Sequence, residues 1–297
     1  GTGFDIYSRV LIRHMGKYIP GAPGMIVQNM TGASGVVAGN WLYSVAPRDG
    51  TVIATFAQTV PLEPLFGNQQ ARYDAAKFVW LGNMESGLAI CGVTRASGIE
   101  SFADLQQRET LIGATAPTGP LAKSALAVKN VLGAKLKMIP GYKGSADVKL
   151  AMTRGEVAGI CGLPLSTVKS FWNQELESGE FRVLIQLSGE KTPELAKIPH
   201  YTDFIKTTED RQLFGLLFGV QALGRVYAAP PETPADRVGA LRRAFMETMK
   251  DKDFLADAEK TGIDIIPMEG EPVAKMWSEY ASTPPAVVAR AKEVTAP

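Results

Sequence analysis

Three loops rich in Gly, Ser and Thr open directly into amphipathic segments: Gly1-Thr2-Gly3-Phe4-Asp5, Asn29-Met30-Thr31-Gly32-Ala33-Ser34-Gly35 and Ala114-Thr115-Ala116-Pro117-Thr118-Gly119. Such loops present free backbone N–H groups at helix N-termini, where the partial positive charge favours an anion. Acid/base machinery is scarce around them. Asp5 reads either as a general base or, more economically, as a helix N-cap that fixes the first loop so that neighbouring amides and a water face a ligand. His14 lies on a predicted helix face and His200 follows Pro199 in a loop, so both read as surface residues. Three anion-ready loops with so little to transform an anion point to holding a carboxylate.

Other chemistries find little support. Gly1-Thr2-Gly3 begins a dinucleotide fingerprint, but Ile6 stands where its third glycine belongs, and the stretch Pro20 to Gln28 offers no acid for a ribose. Neither a phosphate-binding Gly-x-x-x-x-Gly-Lys-Ser/Thr nor a Gly-x-Ser-x-Gly elbow occurs. Two cysteines and two histidines supply no zinc spacing. Cys91 and Cys161 each sit in an apolar strand-like run and read as buried thiols; export would make a bridge between neighbouring strands the alternative.

Elements that would position these loops follow an α/β rhythm. The pattern predicts helices over 5–18, 35–44, 101–107, 119–132 and 144–152, and strands at 25–27, 51–56, 88–94, 110–114, 136–139 and 157–161. Further strands are predicted at 182–186 and 216–227, followed by helices over 234–250, 253–261 and 272–294, the last interrupted at Pro284-Pro285. Trp41, Trp80 and Trp172 read as core. At 297 residues the chain exceeds one core, which predicts two domains: 1–92 with 223–297, and 93–222. Segments 88–94 and 216–227 are candidate strands crossing between them. A net charge of +1 gives no field for nucleic acid or an anionic membrane, and no apolar run reaches the roughly 20 residues of a transmembrane helix. The chain starts on a glycine loop with no strand before it, so N-terminal residues, a signal peptide among them, are expected to precede it.

An ordered series of motifs carries a resemblance across nearly the whole chain. Gly-x-Gly-Phe-Asp with Arg9, then Pro20-Gly21, then Asn29 to Gly35, then Ala46-Pro47-Arg48-Asp49-Gly50-Thr51 is similar to the substrate-binding receptors of tripartite tricarboxylate transporters, the Bug-type proteins. Gly141-Tyr142-Lys143-Gly144, Gly155-Glu156-Val157 and Ala229-Pro230-Pro231-Glu232-Thr233-Pro234 extend it. The chain departs from the pattern in lacking a strand before the first loop and in having Ala158 where an aspartate is usual.

The resemblance implies a monomeric periplasmic receptor, not an enzyme, with no cofactor. It would have two α/β domains of the Venus-flytrap kind that close on a small carboxylate in the cleft between them and deliver it to a membrane permease. Carried over, ligand contacts fall on Gly1, Thr2, Gly3, Asp5, Asn29, Thr31, Gly32, Ala33 and Ser34, with Thr115, Thr118, Gly119 and Tyr142 from the other domain. Gln58 and Thr59, just after the 51–56 strand, are candidates for the ligand's far end, and Tyr142 could equally pack its own turn. The rival reading is an α/β enzyme using a nucleotide cofactor at the first loop.

Overall fold

The computed structural model describes residues 3–115, 117, 119–189 and 191–296. Its chain opens with α1 (Gly3–Met15), α2 (Val36–Ser44), β1 (Ala54–Thr55), β2 (Val79–Asn83) and β3 (Ala89–Thr94). Next come α3 (Phe102–Gln107), β4 (Thr110–Gly113), α4 (Pro120–Leu132), β5 (Leu136–Ile139), α5 (Ser145–Thr153) and β6 (Gly159–Pro164). Then follow α6 (Leu165–Phe171), α7 (Asn173–Glu177), β7 (Phe181–Leu187), α8 (Thr208–Phe218) and β8 (Val226–Ala229). The chain closes with α9 (Ala235–Lys250), α10 (Lys252–Thr261), β9 (Met268–Glu269), α11 (Gly270–Ala281) and α12 (Pro285–Val294). Among the described residues no helix is long and apolar enough to cross a membrane.

These elements form two compact units: residues 1–86 with 223–283, and 87–222 with 284–297. The sequence boundaries of 92 and 297 differ from this division for two reasons. β3 is an inner strand of the second unit's sheet, and α12 is tied to α8 by Arg290, which reaches Asp210 at 2.5 Å and Glu209 at 3.1 Å.

The first unit is built on a sheet of order β1-β8-β2-β9 with antiparallel pairing. α1 places Tyr7, Val10, Leu11 and Met15 on one stripe, and this stripe packs with Leu241 and Phe245 of α9 and Phe254 of α10. α11 contributes Trp277, whose ring stacks on Trp80 of β2 at 5.3 Å. The second unit has a five-stranded sheet of order β5-β4-β6-β3-β7, in which β5, β4 and β6 run parallel and β3 antiparallel. Its core gathers Ile90, Ile160 and Leu163 from the strands with Leu121, Val148 and Val168 from the helices and Trp172 from the junction of α6 and α7. Cys91 and Cys161 face each other across β3 and β6 with 4.0 Å between their Cα atoms, and their sulfurs are bonded.

Several sequence expectations fail locally. The predicted strand at 25–27 is irregular chain with Ile26 79% exposed, and it pairs with no strand among the described residues. Only Ala54 and Thr55 of the predicted 51–56 strand pair, both with β8. The predicted strand over 216–227 is helical to Phe218 and tightly wound to Leu223, and becomes strand only at Val226. Thr207 starts that helix by accepting a bond from the Asp210 amide at 3.0 Å. Trp80 and Trp172 are buried as expected, whereas Trp41 is only partly so.

Neither histidine is a free surface group. His14 is partly buried, with its Nε2 3.0 Å from Asp257. His200 is 1% exposed, its Nδ1 2.8 Å from the Thr202 hydroxyl and its Nε2 3.0 Å from the Ser188 carbonyl. Burial pushes the His200 pKa below its usual 6.5, because desolvation penalises the imidazolium. In that window the unfolded chain binds more protons than the folded one, so stability rises with pH. Acidification from about pH 7.5 to about pH 5 should therefore lower the denaturant midpoint, and His200→Gln should flatten that slope. An unchanged slope in the variant would assign the acid sensitivity to other groups.

Candidate functional site

In the first unit the described parts of two predicted loops meet. α1 begins at Gly3, so Asp5 lies inside its first turn and is not the N-cap expected from the sequence. Its carboxylate instead spans the two loops: Oδ1 accepts the Asn29 side-chain amide at 2.8 Å, and Oδ2 accepts Arg9 Nε at 2.9 Å. The bonds from Arg9 and Asn29 hold the Asp5 carboxyl below its usual range, so it is charged at neutral pH. With both oxygens engaged, Asp5 orients Asn29 and is poorly placed to serve as a general base.

Beyond Asn29, the main chain turns through positive φ at Gly32 (131°), Ala33 (43°) and Gly35 (101°) before α2 begins. The Gly35 amide donates to the Gly32 carbonyl at 2.9 Å, which closes this turn; the first N–H groups of such a turn have no partner within it. Gly35 also brings in a third segment: a Cβ there would stand 2.9 Å from Val60 Cγ2. Val60 belongs to a tight turn in which its amide reaches the Ala57 carbonyl at 2.8 Å, and this turn carries the partly buried Gln58 and the exposed Thr59. Asp5, Asn29, Thr31, Gly32, Ala33 and the Gln58-Thr59 turn are thus on connected chain. Gly1 and Thr2 lie outside the described residues, as does Thr118 of the second unit.

The second unit brings its described candidates together at the carboxyl ends of two parallel strands, the usual binding edge of an open α/β sheet. The Gly141 amide donates to the Thr115 carbonyl at 2.9 Å, and the Tyr142 amide to the Ala114 carbonyl at 3.3 Å. These bonds join the chain after β5 to the chain after β4. Gly119 is the N-cap of α4 and Gly144 that of α5, neither with a side-chain cap, whereas Ser101 and Thr207 cap α3 and α8. Uncapped glycine starts leave first-turn amides open to an external acceptor. Tyr142 is partly buried against the core of its own unit, so its packing role is observed.

The first unit also has a shallow groove along α2, lined by Ala33, Val37, Asn40, Trp41, Val45 and Arg72; of the predicted residues it includes Ala33 alone. Sequence reasoning did not assign Arg9 a role, although its spacing four residues after Asp5 on a helix was a readable ion-pair signal. Among the described residues no group of three His, Cys, Asp or Glu could hold a metal ion.

This architecture is that of the periplasmic solute-binding proteins. A TctC solute-binding protein from Polaromonas superposes with a TM-score of 0.76 at 18% identity, covering 98% of this chain and 94% of that one. MatC from Rhodopseudomonas palustris with bound malate gives 0.63 at 16% identity, covering 99% and 95%, and a second R. palustris protein with adipate gives 0.62 at 18%, covering 99% and 94%. No curated protein matches the chain by sequence. The chain belongs to the tripartite tricarboxylate transporter receptor family, whose TctC model matches residues 8–291.

Proposed function

We propose that this chain is a periplasmic receptor that captures a small carboxylate and hands it to a membrane permease of the tripartite tricarboxylate type, without catalysing a reaction. The observation that carries the reading is the Asn29–Asp5 hydrogen bond, which in the first unit joins the two loops that the family pattern gives to the ligand. The relatives described with malate and adipate support a carboxylate as the ligand class. A buried disulfide supports an oxidising compartment, since such bonds persist outside the reducing cytosol.

The capture chemistry follows from the residues. The charge of Asp5 is compensated by Arg9, and its other oxygen is occupied by the Asn29 amide, so it repels an incoming carboxylate less than a bare aspartate would. The first amides of the 32–35 turn, which have no partner within that turn, and the hydroxyl of Thr31 would supply donors for the ligand's oxygens. Recognition by backbone and water leaves side chains such as Gln58 and Thr59 to distinguish one acid from another. Thr115, Gly119 and Tyr142 offer a second donor set in the other unit.

A thermal-shift and calorimetry panel of malate, adipate, citrate and aromatic acids tests this. An acid at 100 times its Kd should add roughly 2.7 kcal/mol of stability. Asn29→Ala should weaken that acid by about tenfold or more, as expected for losing an organising bond to a charged partner. Stabilisation by a nucleotide cofactor with no response to any acid would overturn the receptor reading.

A further inference from the structure

The chain leaves the first unit after Ser86, re-enters it at Leu223 and leaves it again after Thr283; the residues beside the first two of these points are knitted together. The Met84 amide donates to the Arg225 carbonyl and the Gly224 amide to the Glu85 carbonyl, both at 3.0 Å. The Asn83 side chain binds both segments: its Nδ2 donates to the Glu85 carbonyl at 2.7 Å, and its Oδ1 accepts the Arg225 amide at 2.8 Å. Arg225 then extends its guanidinium into the unit. Nε lies 3.6 Å from the buried Glu85 carboxylate, and Nη1 donates to the Gly224 carbonyl at 2.7 Å. Its central carbon sits 4.5 Å from the Phe4 ring centre and 4.8 Å from that of Tyr7.

Phe4 and Tyr7 flank Asp5 on the first turns of α1, and Asp5 holds Asn29. One contiguous set of contacts therefore runs from the 29–35 loop through Asp5 and the start of α1 to Arg225, and from there to the segments beside Ser86 and Leu223. A guanidinium held against two aromatic faces and a buried carboxylate is planar, charged and hard to move by itself. Rotation of the α1 start must shift it, and a shift of Arg225 must disturb the bonds at Asn83 and Glu85. We propose that Arg225 is a positioning residue that couples the carboxylate loops of the first unit to the segment by which the chain leaves that unit after Ser86 and the segment by which it re-enters at Leu223. The term carboxylate loops rests on the function proposed above; the coupling itself does not.

A cycle of variants read by hydrogen exchange tests the coupling without ligand. Asn29→Ala should change exchange at the amides of residues 84–86 and 224–226 by about fivefold or more, the low end of ordinary coupling. In an Arg225→Met background the same substitution should change them by less than about twofold. An equal effect in both backgrounds, or no effect in the parent, overturns the proposal. If Arg225→Met does not fold, Phe4→Leu, which removes one ring face and keeps the ion pair, repeats the cycle with the same two readings. With malate as probe, the parent should gain protection at both 29–35 and 84–86, and Arg225→Met only at 29–35. Failure of malate and the other acids to bind would remove the function reading and leave the ligand-free cycle to decide this one.

Discussion

Reduction of the Cys91–Cys161 bond should cost the folded chain about 4 kcal/mol, the value chain-entropy reasoning gives for a link closing 70 residues of sequence. The bond staples β3 to β6 in the interior of the five-stranded sheet, and both cysteines are almost fully buried. Reduction therefore does two things: it frees the unfolded chain, and it places two thiols where only a bonded pair was packed. Thermal unfolding with and without a dithiol, and of a Cys91→Ala/Cys161→Ala variant, measures the effect. A loss of this size corresponds to roughly 10 °C in midpoint for a unit of about 150 residues. A change below about 1 kcal/mol would mean that hydrogen bonding in the sheet, and not the link, holds β3 and β6 together. The native oxidised protein should also resist mild reductant while folded, because the sulfurs are out of solvent.

The same strands show what a sequence can and cannot disclose. α4 was legible because Pro120 fixes its start and Gly133, at φ 74°, its stop. β5 was legible because four residues of strand character stand between glycine-containing turns. α8 was not, because its apolar residues form a nearly unbroken run that suits a buried strand or a buried helix equally, and the deciding signal was the polar Thr207-Thr208-Glu209-Asp210 cap ahead of it. His200 looked like a loop residue after Pro199, and it is buried because its segment returns to the edge of β7, where Gln186 pairs with it.

For the candidate site, each glycine loop was visible on its own, since turn residues act locally. The partnership of Asp5 with Asn29 could not be read from spacing, and still less that of Arg225 with Phe4 from distant parts of the chain. Those contacts exist only after two elements have packed. An aspartate with an arginine four residues later announces a helix surface pair; that its other oxygen holds a distant asparagine is a tertiary fact.

Replacing Gly32 with leucine should abolish or sharply weaken carboxylate binding while leaving the chain folded. Gly32 has φ 131° and ψ 141°, a backbone region that L side chains rarely adopt, so the substitution costs about 1–3 kcal/mol if the turn keeps its shape. Its new Cβ would also stand 2.9 Å from Val37 Cγ2. Val37 is 42% exposed and can give way, so the steric conflict is relieved at small cost; the φ conflict is relieved only by re-turning the main chain. The loop around Gly32 is exposed, whereas α2 behind it is anchored by buried Val36 and Leu42, so the turn should refold before the helix detaches. A re-turned loop no longer aims its first amides as before, and binding that depends on their direction falls by at least about tenfold for each 1.4 kcal/mol lost. Gly24→Ala, at a position with nothing within 4 Å, is the matched control and should alter neither affinity nor midpoint. Calorimetry with the acid that stabilises the parent most, alongside thermal unfolding of both variants, separates the outcomes. Unchanged affinity in Gly32→Leu would remove this loop from the ligand site, whereas lost affinity with a collapsed midpoint would make Gly32 a residue of the fold and not of recognition.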